Sequence, residues 1–308
     1  MTDCVIVQPI ARLGVDLLER TGLSVFEAPA PDLPVLMPHL ATARAVITRN
    51  SGFSAEAIDA APKLKIIASH GTGTDRIDKA AAERRGIQVT STPGSNAQSV
   101  AEHALALMLA CSRHLPFADD AIREGDWAFR ERTHPREIAG SRLGLVGYGH
   151  VARELAVMAK CLGMTVMVHS KHASESDLAV NDLLRASSLE ELLATSDIVS
   201  LHGLPGSIPV LDQGWLEHLR EDAILINTAR GALIDEAALA EALRAGRIAA
   251  AGLDVFSSEP LPSDSPLLEC PRLVLTPHMG GSGTKALERT ALEVARKVIE
   301  GLGLALPE

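Results

Sequence analysis

Short apolar runs alternate with helical patterns along the chain, which predicts an α/β protein built from two doubly wound parallel-sheet domains in series. Its 308 residues suit about two domains at roughly 100–200 residues each. The apolar runs fall into two consecutive series. Hydrophobic residues make up 46% of the chain but aromatics only 3%, so the core must be Ala, Leu, Ile and Val, the usual filling of helix-covered parallel sheets.

The first series of expected strands is Val5–Val7, Ser24–Glu27, Ala45–Thr48, Leu64–Ala68 and Ile87–Thr90. Helix-like stretches lie between them near 11–21, 33–42, 54–61 and 75–85. The second series is Leu143–Val146, Thr165–Val168, Ile198–Leu201, Ala223–Ile226, Ala250–Leu253 and Leu273–Leu275. No repeat of fixed period appears. Between the series, residues 94–115 open with Ser95 and Gln98 in capping-box spacing. The body that follows is apolar nearly all round, so it is expected to be buried, as a hinge element and part of a dimer interface. A last helix from about Thr284 to Gly301 returns to the first unit in this reading.

The net charge of -10 argues against a general nucleic-acid or anionic-membrane binder, so positive charge for an anionic substrate must be local. Cys4, Cys111, Cys161 and Cys270 are far apart and show no metal-ligand spacing; they read as reduced thiols of a cytoplasmic protein, with no metal. The start MTDCVIVQPI lacks a basic segment and a cleavable apolar stretch, and no run is long enough to span a membrane.

Residues 143–163, LGLVGYGHVARELAVMAKCLG, run from strand through a Gly-rich turn to helix. Gly147-Tyr148-Gly149-His150-Val151-Ala152 is a GxGxxA form of the dinucleotide fingerprint. Gly147 permits the tight turn, Gly149 lets N–H groups approach a pyrophosphate, and Ala152 lets helix and strand pack closely. Val151, Leu155, Met158 and Leu162 fall on one face of the expected helix, with Gly163 where a C′ glycine belongs. A lone fingerprint is weak evidence, but here strand, loop and helix stand together. About twenty residues on, where an acid would hold the ribose 2′-OH of NAD, stands Ser170, followed by Lys171. A hydroxyl and a positive charge suit a 2′-phosphate, which favours NADP over NAD.

Arg230, Asp254 with Glu259, and His278 follow three later strands of the second series. Ligands bind at the carboxyl ends of strands in open parallel sheets, so all four share one rim. Taken singly, each has an ordinary structural explanation; their arrangement downstream of the Gly-rich loop is what points to chemistry. Histidine can protonate a carbonyl oxygen near neutral pH, a neighbouring carboxylate favours its charged form, and arginine offers a fork of donors to a carboxylate. In the first unit, Gly71-Thr72-Gly73 forms a turn whose N–H groups could cradle an anion, and Arg49 is a second anion contact.

At HGTGTDRID, NAQSVAEH, GLVGYGHVA, SLHG, INTARGALIDEAAL, GLDVFSSEP and TPHMGG the chain resembles the D-isomer-specific 2-hydroxyacid dehydrogenases. The resemblance covers nearly the whole sequence. It implies a Rossmann nucleotide-binding domain at 99–281 and a discontinuous flavodoxin-like substrate domain at 1–98 and 282–308, usually in a homodimer. It implies Arg230 as substrate-binding arginine, His278 as acid/base, Glu259 as its partner, and Asp254 near the nicotinamide. By the same carry-over, Gly71, Thr72 and Gly73 hold the substrate carboxylate, with Thr72 also near the cofactor. His150, Val151, His202, Gly203, Thr228, Ala229 and the stretch His278 to Gly281, with Gly280 and Gly281, would contact the dinucleotide. Ser170 departs from the family's usual acid, and Leu204-Pro205 reverses its usual Pro-Leu order.

The reading that follows is an NADP-preferring reductase of small 2-oxo acids, of the glyoxylate or hydroxypyruvate type. Its runner-up is phosphoglycerate dehydrogenase without a regulatory domain. From another class comes a dinucleotide-sensing corepressor-like binding protein.

Overall fold

A computed structural model describes residues 1–307. The chain divides into two compact units, Met1–Ala97 with Gly281–Glu308, and Gln98–Gly280.

The first unit holds β1 (Cys4–Ile6), β2 (Val25–Glu27), β3 (Ala45–Thr48), β4 (Ile66–Ser69) and β5 (Gln88–Ser91). They form one parallel sheet in the order β2-β1-β3-β4-β5, the flavodoxin-like order. Strands β1, β3 and β4 are buried at every residue because helices cover both faces. Helices α1 (Arg12–Arg20), α2 (Leu33–Leu40), α3 (Ala55–Asp59) and α4 (Lys79–Arg84) alternate with the strands. One face packs Ile6, Ile47 and Ile66 against α1 and the chain's last helix, Thr284–Gly301, through Val15, Leu18, Val294 and Val298. The other packs Val5, Val46 and Ile67 against Leu36, Ile58 and Ala81.

The second unit contains α5 (Ala97–Ser112, whose first residue belongs to the first unit), α6 (Leu115–Arg123), α7 (Phe129–Arg132), β6 (Arg142–Val146), α8 (His150–Cys161), β7 (Thr165–His169), α9 (Glu175–Val180) and β8 (Leu184–Arg185). It continues with α10 (Leu189–Thr195), β9 (Ile198–Leu201), α11 (Gln213–Leu216), β10 (Ile224–Asn227), a 3-10 turn (Gly231–Leu233), α12 (Glu236–Arg244), β11 (Ala250–Leu253) and β12 (Leu273–Leu275). The chain's last helix is therefore α13. All seven strands are parallel, in the order β12-β11-β10-β9-β6-β7-β8. The strand order reverses between β6 and β9, and the Gly-rich turn leaves β6 at that switch point, where open α/β sheets bind ligands.

Two expectations are corrected. Ser95 and Gln98 do not form a capping box: the Ser95 hydroxyl donates to the Thr92 carbonyl, and the Gln98 amide turns to Glu102. Within the single chain, helix α5 buries one face. Ala101, Ala104, Leu107, Met108 and Cys111 are buried, but Ala106 is exposed and Leu105 and Leu109 are half-buried. In α8 the expected face is met in part: Leu155 is buried and Val151 and Met158 pack against the core, but Leu162 is exposed, and Ala152, Ala156 and Ala159 are buried beside them. Gly163 does take the left-handed conformation of a C′ glycine, at φ +78. Strand β8 was not expected at all.

Candidate active site

The second unit brings its candidates to the carboxyl edge of one sheet. Gly147 turns the chain out of β6 at φ +96, and a Cβ there would stand 2.8 Å from the backbone carbon of His202. Only glycine fits both the conformation and the gap. Gly149 differs: it is the N-cap residue of α8, and a Cβ added there would meet nothing within 4 Å. Open space faces the first-turn N–H groups of His150 and Val151, the geometry of an anion site at a helix N-terminus. The Oγ1 of Thr228, just past β10, is buried without a hydrogen-bond partner among the described residues, and Ala229 follows it half-buried. His202 extends β9 with its Nε2 2.9 Å from the Ser200 hydroxyl, and burial pushes the imidazole down to about 4, so it is neutral. Beyond it, Gly203 leaves room for the Ile208 side chain, which would lie 2.8 Å from a Cβ. An open glycine cradle, a buried hydroxyl lacking a partner and a free helix start fit a dinucleotide.

The next strand, β7, ends at His169, and Ser170 and Lys171 lie in the loop beyond it. Ser170 Oγ accepts the His172 N–H at 3.3 Å, which leaves its own hydrogen to donate; Lys171 is exposed. Sequence reasoning missed Arg185. From the edge strand β8 its guanidinium donates to the carbonyls of Ser170 and Ala173 and pairs with Glu175. The 170–173 loop is thus strapped by a cation.

Three polar loops follow the adjacent strands β10, β11 and β12. Arg230 comes three residues after β10. Asn227 fixes its backbone, donating to the Arg230 carbonyl at 2.8 Å and accepting from the Ala229 N–H at 3.0 Å. A side chain at Gly231 would collide with the backbone of Phe256, so the turn carrying Arg230 packs directly on the loop after β11. In that loop Glu259 accepts the Phe256 N–H through Oε1 at 3.1 Å and meets His278 Nδ1 through Oε2 at 2.9 Å. A carboxylate only accepts, so the pair assigns a proton to Nδ1 and leaves Nε2 as the outward atom. His278 itself has φ +49, the left-handed region.

Asp254, at the end of β11, is 1% exposed. It accepts from the Thr276 hydroxyl at 2.6 Å, the Met279 N–H at 2.9 Å and the Gly280 N–H at 2.8 Å. Burial raises its pKa, but hydrogen bonds from His103, Thr276, Met279 and Gly280 outweigh that and hold the carboxyl below its ordinary value. Gly280 must be glycine or nearly so, since a Cβ would come 3.0 Å from Asp254 Oδ2.

In the first unit, Arg49 is half-buried, and its Nη1 donates to the Pro9 carbonyl at 2.8 Å. Burial lowers its pKa. Next to it in the electrostatic sense stands His70, 9% exposed, with Nε2 lacking a partner among the described residues; burial, then the Arg49 charge, push it down to about 4. The cradle expected at Gly71–Gly73 needs one correction. The Gly71 N–H is already bound to Thr92 Oγ1 at 2.9 Å, and the Ser69 hydroxyl ties down the Gly73 carbonyl at 2.6 Å. Thr72 and Gly73 carry the N–H groups left to meet an anion. Gly281 also falls in this unit, where a Cβ would strike the Asn96 amide at 2.7 Å. No group of three or more His, Cys, Asp or Glu residues suited to a metal occurs among the described residues. None of their helices is long and apolar enough to cross a membrane.

Residues 105–280 match the family model for the NAD binding domain of D-isomer specific 2-hydroxyacid dehydrogenases. The chain is 36% identical to a D-3-phosphoglycerate dehydrogenase of Archaeoglobus fulgidus over 96% of its own length and 56% of the relative's. Mycobacterial proteins of the same name are covered over 51%, so the chain spans about half the length of these curated relatives. A hydroxypyruvate reductase of Thermotoga maritima is 38% identical, with 84% of both chains covered. Among solved structures, an NADPH-dependent glyoxylate/hydroxypyruvate reductase from Sinorhizobium meliloti, in complex with citrate, superposes with a TM-score of 0.85 at 27% identity, covering 99% of this chain and 97% of that one.

Proposed function

The chain belongs to the D-isomer-specific 2-hydroxyacid dehydrogenase family, and from that premise we propose that it reduces a small 2-oxo carboxylate to the D-2-hydroxy acid with NADPH, in the manner of a glyoxylate or hydroxypyruvate reductase. The observation that carries the proposal is the His278–Glu259 pair at 2.9 Å, on the same sheet edge as the glycine turn.

In this reading the nicotinamide, when bound, supplies the hydride to the carbonyl carbon. His278 gives the proton from Nε2 to the carbonyl oxygen. Glu259 orients the ring through Nδ1 and balances the imidazolium charge. Arg230 binds the substrate carboxylate and polarises the carbonyl. Arg49 and the Gly71–Gly73 turn are substrate contacts in the same proposal. Asp254 shapes the site near the cofactor. Gly147, Gly149, His150, Val151, Thr72, His202, Gly203, Thr228, Ala229, Gly280 and Gly281 belong to the dinucleotide contacts.

Preference for NADP rests on Ser170 and Lys171, in a loop whose Ser170 and Ala173 carbonyls are held by Arg185. The Sinorhizobium reductase, described as NADPH-dependent, supports the same choice. A cytoplasmic homodimer completes the proposal. Phosphoglycerate dehydrogenase is the second reading: Arg49 is a half-buried cation able to meet a phosphate, and the Archaeoglobus relative bears that name.

The test follows loss of reduced-nicotinamide absorbance with NADPH and NADH in parallel. The substrates are glyoxylate, hydroxypyruvate, pyruvate, phenylpyruvate, 2-ketogluconate and 3-phosphohydroxypyruvate. Turnover of glyoxylate or hydroxypyruvate with NADPH is expected. Strong preference for 3-phosphohydroxypyruvate would replace the first reading with the second, and dinucleotide binding without any turnover would replace both with a sensor.

A further inference from the structure

Helix α5 presents Ser99 and His103, one turn apart, to the loop that carries His278. The Ser99 hydroxyl donates to the Gly280 carbonyl at 2.7 Å. His103 Nε2 lies 2.9 Å from Thr276 Oγ1 and 3.3 Å from Asp254 Oδ1. The Thr276 hydrogen is committed to Asp254, and a carboxylate cannot donate, so both neighbours of Nε2 are acceptors. The ring must therefore carry a proton on Nε2 and share it between them.

Asp254 grips the loop on both sides of His278: through Thr276 before it, and through the Met279 and Gly280 N–H groups after it. Between these points His278 holds φ +49, a conformation that a non-glycine residue keeps only when its surroundings over-determine it. An acceptor as deeply buried as Asp254 keeps its orientation only while its donors stay in place.

We propose that His103 is a positioning residue, which fixes the backbone of the His278 loop through Asp254 and Thr276. The proposal rests on the assignment of His278 as the acid/base group. Nothing in it requires His103 to touch substrate.

Two variants separate donor from filler. His103→Leu keeps bulk and removes the donor; His103→Gln restores an N–H of comparable reach. Amide hydrogen exchange on the full chain reads the clamp without turnover. In His103→Leu the Met279 and Gly280 amides should exchange at least about tenfold faster, while amides of β6 and β9 stay unchanged. With glyoxylate or hydroxypyruvate, kcat should fall about 10- to 100-fold, the scale of a misplaced catalytic group, with the dinucleotide Kd within about twofold. His103→Gln should recover most of both effects. Wild-type exchange at 279 and 280 in His103→Leu overturns the proposal, as does equal damage in Leu and Gln variants together with a general loss of protection. Should His103→Leu fail to fold, His103→Asn, whose amide falls short of Nε2, must loosen the same two amides. His278→Ala, run in parallel, keeps the two claims apart: its retaining turnover removes the acid/base assignment, whereas the exchange result judges the clamp alone.

Discussion

Nδ1 of His278 stands 2.9 Å from Oε2 of Glu259, while the other oxygen of that carboxylate is held by the Phe256 N–H. The carboxylate is therefore fixed at both oxygens and dictates which way the imidazole faces. His278→Ala should lower kcat roughly 10²- to 10⁴-fold, the usual worth of general acid–base help, while dinucleotide affinity barely changes. Steady-state kinetics beside a binding titration checks this; near-normal turnover removes His278 from the role.

Two glycines of one motif should fail differently. Gly147→Ala forces a Cβ to 2.8 Å from the His202 backbone at φ +96, so it should destabilise the protein by about 1–3 kcal/mol. Gly149→Ala meets no protein atom within 4 Å and needs no unusual backbone, so melting should stay within a degree or two of wild type. Its methyl instead occupies space a pyrophosphate would use, and dinucleotide Kd should rise. Thermal melts and binding titrations of both variants decide; equal loss of stability would refute the distinction.

Ser170→Asp should move cofactor preference toward NAD. A carboxylate beside the 2′ position repels a 2′-phosphate and accepts from a free 2′-hydroxyl. The measured quantity is the NADP-to-NAD ratio of kcat/KM. An unchanged ratio in the variant would falsify the assignment of Ser170.

His70 predicts an acid limb of stability. Its folded pKa is about 4 against an ordinary value of 6.5, so the unfolded chain takes up the proton first as pH falls. Stability from this group is complete above pH 6.5 and is lost between there and about 4, by about 3 kcal/mol in all. Melting temperatures followed from pH 7.5 to 4.5 should fall less steeply in His70→Gln than in the wild type. Parallel curves for the two proteins would show that His70 does not contribute.

Central strands were legible because burial on both faces writes itself as an unbroken apolar run: Ala45–Thr48, Ile198–Leu201 and Ala250–Leu253 appear with the expected bounds. Strand β8 was not, since a two-residue exposed edge strand, Leu184–Arg185, needs no apolar pattern. Its Arg185 went unnoticed with it. The glycine turn and the His278 loop stood out through local motifs. The bonds from His103 to Thr276 and from Ser99 to Gly280 span 173 and 181 residues, a distance that no window of sequence reports. The one local hint was the four-residue spacing of Ser99 and His103 on a helix otherwise rich in alanine and leucine.

The first unit is assembled from two stretches of chain separated by the whole of the second. Its sheet lacks one helical cover until Thr284–Gly301 arrives to meet Ile6, Ile47 and Ile66. At about 5–20 residues per second, a ribosome needs roughly ten to forty seconds to make the intervening segment. During that wait the earliest-made strands have only α1 on that apolar face, and by its end the later-made unit has all of its own chain while the first still lacks α13. The order of maturation thus runs opposite to the order of synthesis, and a nascent chain halted before α13 would be a target for chaperones at its beginning rather than its end.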